Sequence, residues 1–244
     1  ADVAKLTGDY NKLKADYDAL LKAGLTGEIV IGAILSLTGD LATFGENEKV
    51  AAEFAAKQIN EFLKASGAKW TLKIISEDTQ TKPDICLAKV ESLAAKGIKF
   101  LLGPLSSAEV RAIKGYCDAN KILAISQSST APDLAIPGDY IFRFCPTDAA
   151  PGGQGVAIAR ILCDDNKTYV IPVTRNDAWG VGLEEAAATR FKQLGGTVLE
   201  GIRYAPEAAE FTAEAKNLAD KVTRAIASYL SLIHISEPTR QAEI

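Results

Sequence analysis

The sequence predicts an α/β fold built on mostly parallel sheets, and three observations carry that reading. Short apolar runs rich in β-branched residues alternate with stretches of helical spacing from Glu28 onward. The first such run, Glu28–Leu35, is apolar throughout after its glutamate, the mark of a strand buried on both faces. The alternation breaks once, at Pro146–Gly155 (PTDAAPGGQG), where Pro, Gly and Asp read as a passage between two lobes.

Residues 1–25 precede the first strand. Val3, Leu6, Tyr10, Leu13, Tyr17 and Leu20 alternate three and four apart, the a/d spacing of a coiled coil, with Lys, Asp and Asn between. A single amphipathic helix lying on the domain and a stalk or spacer both fit. Gly8 and the two tyrosines favour the spacer. Gly24 ends the helix and Gly27 leads into the strand.

After Glu28–Leu35, a helix is expected over Lys49–Leu63, then a strand at Trp70–Ser76. Pro83 opens a helix carrying Ile85, Leu87, Val90 and Leu93, closed by Gly97. A strand at Ile98–Leu102, a helix at Ala108–Ala119 and strands at Ile122–Ile125 and Tyr140–Phe144 follow in a first lobe over residues 28–145. The second lobe, residues 146–229, has a helix at Gly155–Leu162, a strand at Thr168–Val173, a helix at Gly182–Leu194, a strand at Thr197–Tyr204 and a helix from Phe211. Two strands are too few for a stable doubly wound sheet, so truncation inside this lobe is expected. Residues 230–244 begin LSLIHISEPTR and continue QAEI; they resemble a translated sequencing adapter and are expected to be a foreign tail. The alternative there is a short strand, Leu230–Ile235.

Composition narrows the function classes. The 244 residues are 48% hydrophobic and 24% charged, with a net charge of -4. That is globular composition, and mild acidity argues against nucleic acid as a partner, because phosphate neutralisation needs clustered Lys and Arg. The one histidine excludes sites built on several, such as three-His zinc centres. With no methionine, a processed chain or a fragment is expected. No apolar run approaches the length of a membrane span.

Open parallel sheets bind ligands at the carboxyl ends of their strands. Three strand ends are polar in the same way: Ser36–Asp40 with Phe44–Gly45 beyond it, Gly103–Ser107 before a helix, and Ser126–Thr130 before Pro132. Hydroxyls and helix N-termini suit an anion such as a carboxylate. Part of this is capping: Ser106-x-x-Glu109 is a capping box, and Thr130 is placed to cap the turn at Pro132. Two serine-rich loops at neighbouring strand ends nevertheless favour a ligand site. In the second lobe, Asn176–Gly180 presents Trp179, either as a cover for the sheet edge or as an aromatic facing a ligand.

Taken together, IGAILSLTGDLATFG, the Ile59–Asn60 helix end, GPLSSAEV, ISQSSTAPDL, FRFCPTD with Gln154–Gly155, and NDAWGVGL resemble periplasmic binding proteins of the branched-chain amino acid type. The resemblance runs from about Glu28 to Tyr229. It implies a two-lobed type I fold and an extracytoplasmic receptor that closes on an amino acid or similar small carboxylate and serves an ABC-transporter permease. It implies no enzyme activity and no cofactor. By position, Ser107 matches the serine that binds the ligand carboxylate, and Ser128 and Thr130 match the second carboxylate loop. Leu105 and Ser106 match the pocket wall, Phe44 an aromatic near the ligand side chain, and Trp179 the aromatic that covers it. Family specificity positions fall beyond Tyr229, the return strands that would complete the first lobe are expected to be missing, and some relatives place a disulfide cysteine at the Ser106 position. A membrane tether upstream of residue 1 is compatible with the resemblance, though no residue shows one. The alternative is the sensing domain of a signalling receptor or regulator with the same fold.

Cys86, Cys117, Cys145 and Cys163 allow three full pairings, and none follows from sequence. Cys86 and Cys117 are expected at distant helix ends, and buried free thiols are the expectation for all four. Gly180-x-Gly182 and Gly153-x-Gly155 lack the third small residue of a dinucleotide fingerprint. The sequon Asn166–Lys167–Thr168 recurs too often by chance to carry weight. Ser106 and Ser107 have no histidine partner outside the expected tail, which favours binding over catalysis.

Overall fold

The computed structural model describes residues 2–22 and 24–236, which divide into two compact units. The first unit runs to Gln127 and takes in Asp139–Phe144; the second comprises Ser128–Gly138 and the chain from Cys145. The sequence boundary at 145/146 puts Ser128–Gly138 in the first lobe, whereas in the structure this segment packs with the second unit.

The first unit holds a five-stranded parallel sheet in the order β2-β1-β3-β4-β5. Its strands are β1 (Thr26–Leu35), β2 (Lys69–Asp78), β3 (Phe100–Leu102), β4 (Leu123–Ser126) and β5 (Ile141–Arg143). β1 and β2 pair along ten residues, Thr26 with Lys69 through Leu35 with Asp78. α2 (Ala42–Ala65) packs on both of them, while α3 (Pro83–Ala95) and α4 (Ser107–Asn120) pack together. The core is Ala33, Ile34 and Leu35 from β1, against Val90 and Leu93 of α3 and Val110 and Ile113 of α4. Within the expected strand only Gly32–Leu35 are buried; Glu28 is exposed and Ile29–Ile31 are half-buried, so the expectation of a strand covered on both faces along its whole length is corrected. β5 is tied to α4 at a distance: the Asp118 carboxylate accepts from the Tyr140 N–H at 2.9 Å, and Lys114 bridges Asp118 and Asp139.

α2 begins at Ala42, seven residues before the apolar periodicity does. Its entry is held by long-range contacts, with the Leu41 N–H donating to Thr81 Oγ1 at 3.2 Å. α1 (Asp2–Lys22) precedes the sheet and, among the described residues, contacts no other element.

In the second unit α5 (Gln154–Asp164) packs on α6 (Ala178–Gln193), and α6 covers parallel strands around the fully buried Phe191. Each strand expected here is two. β6 (Tyr169–Val170) pairs with β8 (Thr197–Val198), and β7 (Val173–Arg175) pairs with β9 (Ile202–Tyr204). Between the pairs, Val170 to Val173 is three steps while Val198 to Ile202 is four. The surplus residue is a bulge, and Pro172, with no N–H to donate, sits opposite it. α7 (Thr212–Ser236) packs on β9. Its helical backbone runs through Leu230–Ile235, which corrects the alternative of a strand there; residues 237–244 lie outside the described residues.

All four cysteines are free. Cys86 and Cys117 are buried, but Cys145 and Cys163 are only half-buried, which corrects the expectation of four buried thiols. Burial, then Glu109 and Cys117, push the Cys86 thiol far up; burial, then Asp118, raise Cys117 to about 12.

Candidate functional site

At the carboxyl end of β3 the chain turns through Gly103 and Pro104 into α4. Gly103 has φ +96, and a Cβ there would lie 2.2 Å from the Ile34 carbonyl oxygen. Only glycine lets this loop lie against β1. The Ser126 hydroxyl at the end of β4 donates to the Pro104 carbonyl at 2.6 Å, joining two strand ends.

Ser106 is the N-cap of α4. Its hydroxyl accepts from the Glu109 N–H at 3.2 Å and donates to Glu109 Oε2 at 2.6 Å, and that oxygen also accepts from the Ser106 N–H. The capping box is therefore formed, and the Ser106 side chain is committed to it. Oε2 extends further, accepting from the Ser36 hydroxyl at 3.5 Å, which in turn meets Thr79 Oγ1 at 3.2 Å. Glu109, Ser36 and Thr79 are fully buried, and Glu109 Oε1 has no hydrogen-bond partner among the described residues. Ser107, the first helical residue, is 2% exposed at the positive end of the α4 dipole. Leu105 is buried beside it.

The end of β1 is held by β2. Asp78 accepts from the N–H groups of Leu37, Thr38 and Gln80 at 2.9–3.1 Å and from the Thr38 hydroxyl at 2.7 Å. Burial works against its charge, but the Thr38 hydroxyl and those N–H groups outweigh it and hold the carboxyl below its ordinary range. Phe44, on the first turn of α2 beyond this loop, is 62% exposed.

The other expected residues lie in the second unit. The Thr130 hydroxyl donates to Asp148 Oδ2, so Thr130 is anchored to Asp148 rather than capping the turn at Pro132, whose N-cap is Ala131. Ser128 is exposed, while Ser129 is buried and accepts from the Cys145 thiol through its carbonyl. α6 abuts this loop: a Cβ on Gly182 would lie 2.8 Å from Pro132 Cδ. Trp179 is on the first turn of α6, which starts at Ala178 because Asp177 Oδ1 caps the Gly180 N–H at 2.7 Å. In the sequence, Asn176–Gly180 stands out as the loop that presents Trp179, but Asp177 does not stand out as the cap of the helix that follows. The Arg175 guanidinium lies 5.6 Å from the Trp179 ring centroid and is paired with Asp177 at 2.5 Å. Trp179 also lines a cavity of about 270 Å³ inside this unit, with Ile158, Val173, Leu183, Phe191 and Tyr204.

The structure thus gathers Leu105, Ser106 and Ser107 at one helix start, and brings Trp179 and the Thr130 loop to the same unit. Sequence reasoning missed Asp78, Asp148 and Arg175, whose partners are 18 to 41 residues away or on a neighbouring turn. Among the described residues no group of three or more His, Cys, Asp or Glu side chains is placed to hold a metal.

Residues 28–231 match the family model described as periplasmic binding protein. An uncharacterized protein of Methanocaldococcus jannaschii is 40% identical over 200 residues, covering 80% of this chain and 47% of that one. A Leu/Ile/Val-binding protein homolog of Brucella melitensis is 28% identical, covering 76% of this chain and 50% of its own. Among solved structures, the leucine binding protein LivK of Thermotoga maritima superimposes with a TM-score of 0.70 at 21% identity, covering 79% of this chain and 53% of that one. A solute binding protein of an ABC transporter from Rhodopseudomonas palustris, in complex with 3,4-dihydroxybenzoic acid, gives 0.64 at 19%, with 80% and 52% covered. The chain spans about half the length of the relatives it matches.

Proposed function

The chain belongs to the periplasmic binding protein family, and from that membership we propose that it is part of the substrate-binding protein of an ABC transporter. The family is extracytoplasmic and binds solutes without transforming them. In this reading the protein works in the periplasm or outside the cell and delivers its ligand to a membrane permease. No helix among the described residues is long and apolar enough to cross a membrane.

The ligand class is an amino acid of the aliphatic or branched-chain type, or a similar small carboxylate. Relatives named for Leu, Ile and Val support the first, and the Rhodopseudomonas structure with 3,4-dihydroxybenzoic acid supports the wider class. The observation that carries the reading is Ser107. It opens α4 at the carboxyl end of β3, on a loop that Gly103, Ser126 and Glu109 hold in place. A helix start of this kind favours a carboxylate through its dipole and backbone donors. Ser128 and Thr130 supply the second carboxylate loop, and Leu105, Ser106 and Phe44 the wall. Trp179, with the Arg175 guanidinium over its ring, is the aromatic cover.

Titration calorimetry of the full-length protein against leucine, isoleucine, valine and 3,4-dihydroxybenzoate tests this. At least one is expected to bind, and Ser107→Ala to weaken it by about tenfold, the loss of one charge-assisted hydrogen bond. Binding with unchanged affinity in the variant would remove Ser107 from the site.

A further inference from the structure

Among the described residues, α1 contacts no other element of the chain. Its side chains are described for residues 4–16, and there Leu6, Tyr10 and Leu13 are 67%, 64% and 69% exposed. An amphipathic helix draws most of its stability from covering its apolar face, not from intrinsic propensity. Nothing among the described residues covers that stripe, and the charges along it fit a second copy of the same helix.

With Val3, Tyr10 and Tyr17 at position a, Leu6, Leu13 and Leu20 fill every d position. In parallel coils a β-branched residue at a with leucine at d favours two strands; the three leucines and Val3 meet that pattern, while Tyr10 and Tyr17 fill the remaining a positions. The g positions are then Asp2, Asp9 and Asp16, and the e positions Thr7, Lys14 and Leu21. In a parallel, in-register pair each g faces the e five residues further along its partner, which sets Asp9 of one copy against Lys14 of the other, twice by symmetry. An antiparallel pair sets g against g and e against e, aspartate facing aspartate. Gly8 falls at f, on the outer surface, where a missing side chain costs the interface nothing.

We propose that α1 forms a parallel, in-register coiled coil between two copies of this chain. The proposal is independent of what the chain binds. Two copies joined this way carry two ligand sites on one stem, and three heptads make the pairing concentration-dependent.

Sedimentation equilibrium of the full chain over a wide range of protein concentration tests it. A monomer–dimer equilibrium is expected, and Leu13→Asp is expected to abolish it while leaving the α/β body folded, since among the described residues α1 touches no other element. Asp9→Lys and Lys14→Asp, each alone, should weaken the dimer by about tenfold, and together restore it to within about twofold. A monomer at every concentration would overturn the proposal; so would a dimer indifferent to Leu13→Asp, which points to another surface. A dimer strengthened by Asp9→Lys alone would identify an antiparallel pair and also overturn it.

Discussion

Thr130 and Asp148 hold each other from both ends: the Thr130 hydroxyl donates to Asp148 Oδ2 at 2.9 Å, and the Asp148 N–H donates to the Thr130 carbonyl at 2.9 Å. The pair fastens the loop after β4 to the Pro146–Gly155 passage within the second unit. Thr130→Val keeps the volume but withdraws one donor from a fully buried carboxylate. We expect a loss of about 1–3 kcal/mol in urea unfolding, with Thr130→Ser close to the parent. Equal stability of the Val and Ser variants would show that the hydroxyl is dispensable.

Gly103 admits no side chain. At φ +96 the backbone alone strains any other residue by about 1–3 kcal/mol, and the Ile34 carbonyl occupies the Cβ position besides. Gly103→Ala should lower the thermal midpoint markedly, whereas Gly115→Ala, an open helical position, should not. A scanning-calorimetry comparison of the two variants decides the point.

Acid stability should depend on Asp78. Its folded-state carboxyl titrates below the unfolded value, so the ionised form stabilises the fold at neutral pH. That contribution is complete above the ordinary aspartate range and drains away as the pH falls below about 4. Asp118 behaves in the same sense: burial opposes its charge, but Lys114 and the Tyr140 N–H outweigh it. Asp78→Asn should flatten the acid limb of stability against pH. A limb as steep as the parent's would place the titration elsewhere.

Thiol reactivity should split by burial. Cys117, at about 12, and Cys86, higher still, hold almost no thiolate near pH 8 and are shielded as well. Cys145 and Cys163 should label with a chromogenic disulfide reagent in the native protein, and all four in urea. Labelling of Cys86 in the native state would contradict the packing of α3 against α4.

The strand–helix alternation was readable because each signal is local: apolar runs, Pro83 at a helix start, Gly97 after a helix end. Ser106 and Glu109 were readable together for the same reason. What stayed hidden is set by distance. Nothing near Asp78 announces that it will gather three N–H groups and a hydroxyl, and nothing near Ala42 shows that Thr81 will draw α2 open early. Pro172 was visible, but its effect needs the partner strand, because a bulge is a mismatch between two counts. The placement of Ser128–Gly138 in the second unit likewise depends on Gly182, some fifty residues on, leaving room for Pro132.

That mismatch has a mechanical consequence. Strands that share one continuous register move as a plate, and displacing any rung loads the rest. Here the ladder is interrupted between Val170 and Val173, so β7 and β9 are geared only loosely to β6 and β8. Arg175 lies at the tip of β7, and Trp179 follows on the next turn of chain. The aromatic is thus mounted on a joint that can yield without unzipping the strands behind it. The amides of Leu199 and Ile202, which bond to Val170 and Pro172 on either side of the break, should therefore exchange with solvent at separate rates.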